Sequence, residues 1–204
     1  MRETIRLAIE NNVKIGAHPS FPDRKNFGRI EMNLPNNELT TVIIDQILRL
    51  KILTEEAGGR LNHVKPHGAL YNMAAVNDSI AEAVLDAMTP FDKKLILYVP
   101  YGSVIARKAI ERKQPIKYEA FADRNYNEDL TLVSRKLDNA VLEDPDQIIH
   151  HVIRMIKEKK VKTINGNFSD IEAGTLCIHG DNPHAVAIVS QLSKNLKSNN
   201  VSIE

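Results

Sequence analysis

Five short strand-like runs in this 204-residue chain each end in a cluster of charged, His or Gly residues, with helical stretches between them. The clusters are His18-Pro19-Ser20, Lys65-Pro66-His67-Gly68, the turn at 98–103, the segment 119–124, and His179-Gly180-Asp181. When strands alternate with helices, the strands run parallel and their C-terminal ends gather on one rim, where such folds keep their active sites. The pattern therefore predicts an α/β enzyme with a parallel β/α sheet or barrel.

Composition narrows the class. With 27 basic and 26 acidic side chains the net charge is +1, so no long-range field draws the chain to nucleic acid or an anionic membrane. No apolar run approaches the ~18 residues that span a bilayer, and residues 1–12 mix charge with apolar side chains, unlike a secretory leader. The one cysteine, Cys177, cannot form an internal disulfide and reads as a core residue in a reducing, cytoplasmic compartment. Hydrophobic residues make up 43%, ample for a single domain over 1–204.

Periodicity places the clusters. The chain opens in a helix on Ile5, Ala8 and Ile9 and enters a strand at 13–17. A long helix over 35–57 follows, striped by Leu39, Val42, Ile43, Ile47, Leu50 and Leu53 and stopped by Gly58-Gly59. Further strands are expected at 61–65, 95–99, 116–121 and 176–179, with helices at 78–88 and 103–113. Asp144-Pro145 reads as the cap and first turn of a helix facing the core with Ile148, Ile149, Val152 and Ile156. Asn165-Gly166 suggests a hairpin between 161–164 and 169–173. A last helix from Pro183 is expected to bury Val186, Val189, Leu192 and Leu196.

The clusters carry alternatives. Two prolines stiffen the exit of the first strand, so His18 is either a loop histidine bonded to backbone or a rim group. Arg29, in Phe27-Gly28-Arg29, is ordinary surface or a fork for a carboxylate. Lys65 and His67 flank a proline directly after a strand, where a lysine can meet a carboxylate or a developing oxyanion and a histidine can move a proton. The structural alternative is an ion pair. Glu119, Asp123 and Arg124 put two acids and a guanidinium at another strand end, as a general base with its neighbours or as loop braces. Arg135 either reaches the same rim or sits on the surface. His179 and Asp181 could pair as acid and base, could bind a metal, or Asp181 could only cap the next helix. No H-E-x-x-H or Cys-rich zinc spacing, no P-loop and no dinucleotide fingerprint is present.

Taken in order, Ile15-Gly16-Ala17-His18-Pro19, Phe27-Gly28-Arg29, the string His63-Val64-Lys65-Pro66-His67-Gly68-Ala69-Leu70-Tyr71, Phe121-Ala122-Asp123-Arg124 and Cys177-Ile178-His179-Gly180-Asp181 resemble the LamB/YcsF family over essentially the whole chain. That resemblance implies a β/α barrel related to glycoside hydrolase/deacetylase barrels and a part in ATP-dependent opening of 5-oxoproline to glutamate. It also implies 5-oxoprolinase subunits B and C as partners. In this setting Lys65 and Arg124 would stabilise carboxylate or oxyanion charge, His67 and Asp181 would be acid/base candidates, and Asp123 would stand among the catalytic residues. Glu119 and His179 would orient them or contact substrate, with His18, Arg29 and Arg135 on the substrate. ATP would serve the complex, and a divalent metal is left open.

One departure from the family pattern is visible. The opening acidic strand motif, D-x-N-x-D-x-G-E-like, and a following G-F-H-A-G-D-like segment are absent, because Met1 falls in the helix that would come after them. A barrel lacking its first strands is therefore expected, with exposed edges that a homo-oligomer could cover. Two rivals to the lactam hydrolase remain at this point: a metal-dependent carbohydrate deacetylase, and a noncatalytic binding or regulatory subunit.

Overall fold

In a computed structural model describing residues 1–182 and 184–203, the chain forms two compact units, 1–117 and 118–204. The first opens with helix α1 (Arg2–Glu10), strand β1 (Ile15–Ala17), the long α2 (Asn36–Glu56), β2 (Leu61–Val64), α3 (Gly68–Val76), α4 (Asp78–Met88), β3 (Ile96–Pro100) and α5 (Val104–Glu111). β1, β2 and β3 pair in parallel, with Gly16 opposite His63 and His63 opposite Ile96. Strand β4 (Ile116–Phe121) carries the chain from the first unit into the second.

The core of the first unit follows from the helical stripes. α2 buries Leu39, Ile43 and Ile47 completely, one residue per turn, and α4 is buried along most of its length, from Ile80 to Met88. Caps fix where α4 and α5 begin: Asn77 accepts from the Ile80 N–H and Ser103 from the Ala106 N–H. α3 is absent from the sequence reading. Its segment GALYNMAAV is apolar almost throughout, so no polar face marks the helical period, and Ala69, Leu70, Tyr71 and Ala74 are all buried.

The second unit continues with α6 (Pro145–Lys157), the hairpin strands β5 (Lys160–Lys162) and β6 (Phe168–Asp170), β7 (Thr175–Cys177) and α7 (Ala185–Ser198). β4 pairs in parallel with β7, Phe121 opposite Cys177, and the expected hairpin forms as the antiparallel pair β5–β6. Asp144 caps α6 with Pro145 at its first turn, as the sequence indicates. Two readings need correction. α7 buries Ile188, Leu192 and Leu196, a strict four-residue repeat, whereas Val186 and Val189 are 85% and 50% exposed. α6 places His151 in its core stripe beside Ile148, Val152 and Met155. Pro183, the expected first residue of α7, lies outside the described residues; the helix begins at Ala185. Cys177 is buried, and no described helix is long and apolar enough to cross a membrane.

Close packing across β1, β2 and β3 centres on His63. Its ring lies flat on Tyr98, 4.1 Å between centroids and 4° between planes. On the other side is Gly16, where a Cβ would come within 2.1 Å of His63 Nε2. The histidine is held from moving aside by its stack, so Gly16→Ala should destabilise the chain by about 1–3 kcal/mol, the range for overpacking a filled site. Urea unfolding measures this, and an unchanged midpoint would show that His63 can move out of the way.

Candidate active site

Each unit carries one group of rim residues. In the first, His18, Lys65 and His67 meet at the ends of β1 and β2. The His18 Nδ1–H donates to the Lys65 carbonyl over 2.6 Å, His67 Nδ1 lies 2.8 Å from His18 Nε2, and the His67 Nε2–H donates to the Phe27 carbonyl over 2.8 Å. Backbone bonds repeat the connection: Lys65 N–H to Ala17, His67 N–H to Pro19 and Ala69 N–H to Gly28.

Glycine is required here. Gly68 has φ +56°, and a Cβ on it would sit 2.6 Å from the Gly28 carbonyl oxygen. Gln46 of α2 pins the same loop from below by bonding both the N–H and the carbonyl of Ser20. Lys65 Nζ lies 5.9 Å from the centre of the buried Tyr71 ring, within cation–π range, and the Arg29 guanidinium lies over exposed Phe27 at 5.1 Å.

In the second unit, the end of β4 meets the end of β7. Asp123 is 1% exposed, and its carboxylate receives the His179 Nδ1–H at 2.9 and 3.1 Å and the His179 backbone N–H at 3.2 Å. Burial by itself pushes the Asp123 carboxyl up; the His179 ring hydrogen bond, its charge and the backbone donors together outweigh this and hold it below the ordinary range. With Nδ1 donating to Asp123, the second ring nitrogen of His179, Nε2, is the one available to act as an acceptor.

Asp123 and His179 line a cleft of about 290 Å³ together with Arg135, Val141, Glu143, Asp181, Asn182 and His184. Four residues singled out in the sequence, Asp123, Arg135, His179 and Asp181, thus share one cavity. Glu143 and His184 join them without having been read as site residues. His184 stands five positions beyond His179 in the same motif, a signal that was available. Glu143 is brought in by the 123–142 loop, which no periodicity describes.

Arg124 and Glu119, in the same unit, are buried, 5% and 4% exposed. The Arg124 guanidinium donates to the Ala140 and Val133 carbonyls, so it straps the loop that carries Arg135. The loop is further held by Asn125 N–H to Ala140 and Leu142 N–H to Asp123. Tyr126 Oη accepts the Phe121 N–H over 2.7 Å at the end of β4, and burial pushes its phenol up. Among the described residues no group of three His, Cys, Asp or Glu is arranged to hold a metal ion.

One buried and one half-buried histidine shape the response to acid. Burial lowers His63 to about 4, helped by Lys65, Lys117 and Lys14; burial also lowers His151 to about 4, against hydrogen bonding to the Phe121 backbone. His151 is 7% exposed and its Nε2 has no hydrogen-bond partner among the described residues. Unfolded histidine takes up its proton near pH 6.5, so between about 6.5 and 4 the unfolded chain binds more protons and stability falls with falling pH. The expected loss is on the order of 3 kcal/mol from His151 and less from partly hydrated His63, levelling off below pH 4. Urea midpoints compared at pH 7 and 4.5 check this; a flat profile would mean the rings take up protons as readily in the fold as in the unfolded chain.

Comparison with known proteins gives a consistent result. The description "LamB/YcsF family" fits residues 1–204. The chain is 42% identical over 204 residues to the A subunit of a 5-oxoprolinase from Fusobacterium nucleatum, covering all of this chain and 79% of that one. It is 44% identical over 203 residues to a protein of the same name from Pyrococcus horikoshii, covering 80% of it. Among solved structures, a lactam utilization protein from Thermus thermophilus aligns with TM-score 0.91 and 34% identity over the whole chain and 81% of its own length. The α/β architecture expected from the sequence is the one that solved structure shares.

Proposed function

Because this chain belongs to the LamB/YcsF family, we propose that it works as the A subunit of a 5-oxoprolinase, a cyclic-amide hydrolase that opens 5-oxo-L-proline to L-glutamate. The observation that carries the mechanism is the Asp123–His179 pair on the wall of a cleft of about 290 Å³, roomy enough for a small ring. Asp123 fixes the tautomer and orientation of the His179 ring, which is how a carboxylate sets a histidine up as a general base. His179 Nε2 then draws a proton from water attacking the lactam carbonyl, and the same proton returns to the ring nitrogen as the amide bond breaks. Arg135 pairs with the substrate carboxylate, and Asp181 orients the water.

The first unit's strand ends and the assembly complete the proposal. Lys65 supplies positive charge for a carboxylate or a developing oxyanion, with Arg29 at the edge of the same rim. Arg124 and Glu119 hold the 123–142 loop and the strand end in place. Subunits B and C complete the enzyme, and ATP supplies phosphoryl activation of the lactam oxygen in that complex; the family resemblance supports this reading. Neither a P-loop nor a dinucleotide fingerprint is present in the sequence of this chain. A cytoplasmic setting agrees with a single buried thiol. A metal-dependent deacetylase would need a ligand trio, and the described residues offer none.

The test is ATP- and 5-oxoproline-dependent glutamate release by this chain mixed with purified B and C subunits. His179→Gln should lower kcat by about 10²-fold or more, the usual worth of a general base. Arg135→Ala should act mainly on KM, raising it roughly tenfold or more, because it removes binding energy common to ground and transition states. Lys65→Met should reduce turnover far more than it shifts the melting temperature. Wild-type silence with active partners, or full turnover in His179→Gln, overturns the assignment.

A further inference from the structure

The contacts of His18 and His67 fix the number of protons the two rings hold. His18 Nδ1 lies 2.6 Å from the Lys65 carbonyl oxygen, and His67 Nε2 lies 2.8 Å from the Phe27 carbonyl oxygen. A carbonyl only accepts, so both of these nitrogens carry hydrogen. Distances this short exclude a ring C–H in either place, because C–H···O contacts run about 3.3–3.6 Å. The remaining nitrogens, His18 Nε2 and His67 Nδ1, face each other at 2.8 Å, a hydrogen-bond separation. Two bare lone pairs repel there, and so do two N–H groups, so one proton sits between them.

Two neutral imidazoles own one proton each, yet this arrangement holds three: one at each end and one in the middle. We propose that His18 and His67 share a proton and together carry a single positive charge, forming a clasp that positions Lys65 and the Phe27-Gly28 turn. The rings meet edge to face, 4.6 Å between centroids and 75° between planes, and Phe27 closes edge-on to His67 at 5.0 Å. Since every ring nitrogen is engaged inside the clasp, the two histidines act as positioning residues, and it is the Lys65 backbone that they hold.

The clasp is limited by pH from both sides. Removing the shared proton leaves two lone pairs face to face; adding a second proton leaves two N–H groups face to face. The two rings titrate as a unit, in macroscopic steps that belong to the pair. The charged groups on the segments meeting there are Lys65 on the β2 exit and Asp23, Arg24, Lys25 and Arg29 in the 20s loop; Asp23 already accepts from Asn26, and α2 presents the neutral Gln46. This inference stands on the contacts alone and is independent of the substrate assigned above.

Long-range ¹H–¹⁵N correlation spectra of the ¹⁵N-labelled chain, followed with pH, read the proton count directly. Expected near neutrality are protonated signatures at His18 Nδ1 and His67 Nε2, with His18 Nε2 and His67 Nδ1 both at intermediate shifts and moving together as pH rises. His18→Gln and His67→Gln assign the signals, and in His18→Gln the His67 ring should revert to a neutral Nε2–H form. Two neutral rings in the wild type at neutral pH, or two independent titrations, would overturn the proposal. The wild-type spectrum decides the matter even if a variant fails to fold.

Discussion

Asp123 is a carboxylate almost wholly removed from water, and a buried charge without partners costs several kcal/mol. The second unit is arranged around that requirement. Because Asp123 follows β4 closely and His179 follows β7 closely, satisfying the carboxylate joins the ends of two parallel strands, reinforcing the Ala122 N–H bond to Cys177. The same pairing turns one face of the His179 ring toward Phe121 and its edge toward the cleft. A structural need and the orientation of the His179 ring are met by one hydrogen-bonded pair.

Below that pair the chemistry is of loop anchoring. Arg124 follows Asp123 by one residue but points into the 133–140 segment, where it meets backbone carbonyls that have no strand to pair with. Tyr126 closes the end of β4, and His151 from α6 stacks near it at 6.0 Å. The long excursion between β4 and α6 thus stays ordered without regular structure of its own, and that order is what keeps Arg135 and Glu143 on the cleft.

Much of this was legible in the sequence, for identifiable reasons. β4, α2 and the cap of α6 were readable because each has a local signature: an apolar run, a stripe, an Asp-Pro start. α3 was not, since its uniform apolarity hides the period. The phase of α7 was misjudged because Val186 and Val189 are as apolar as Ile188, and only packing reveals which side faces inward. At the site, Asp123, His179 and Asp181, each singled out at a motif end, line one cavity. Whether Arg124 reached for substrate or for its own backbone could not be read from spacing, because both uses want the same residue at the same strand end. His18 and His67 looked like separate candidates; that each occupies the other's nitrogen depends on the chain between them, 49 positions along, folding back.

The flat stack of His63 between Gly16 and Tyr98 bears on how this sequence can drift over time. Any side chain at position 16 meets the imidazole, while a smaller residue at 63 would first open a void against Tyr98. Each single step is unfavourable, whereas the paired exchange, bulk gained at 16 and lost at 63, keeps the volume. The two positions are therefore epistatic, and lineages should hold both or trade both together.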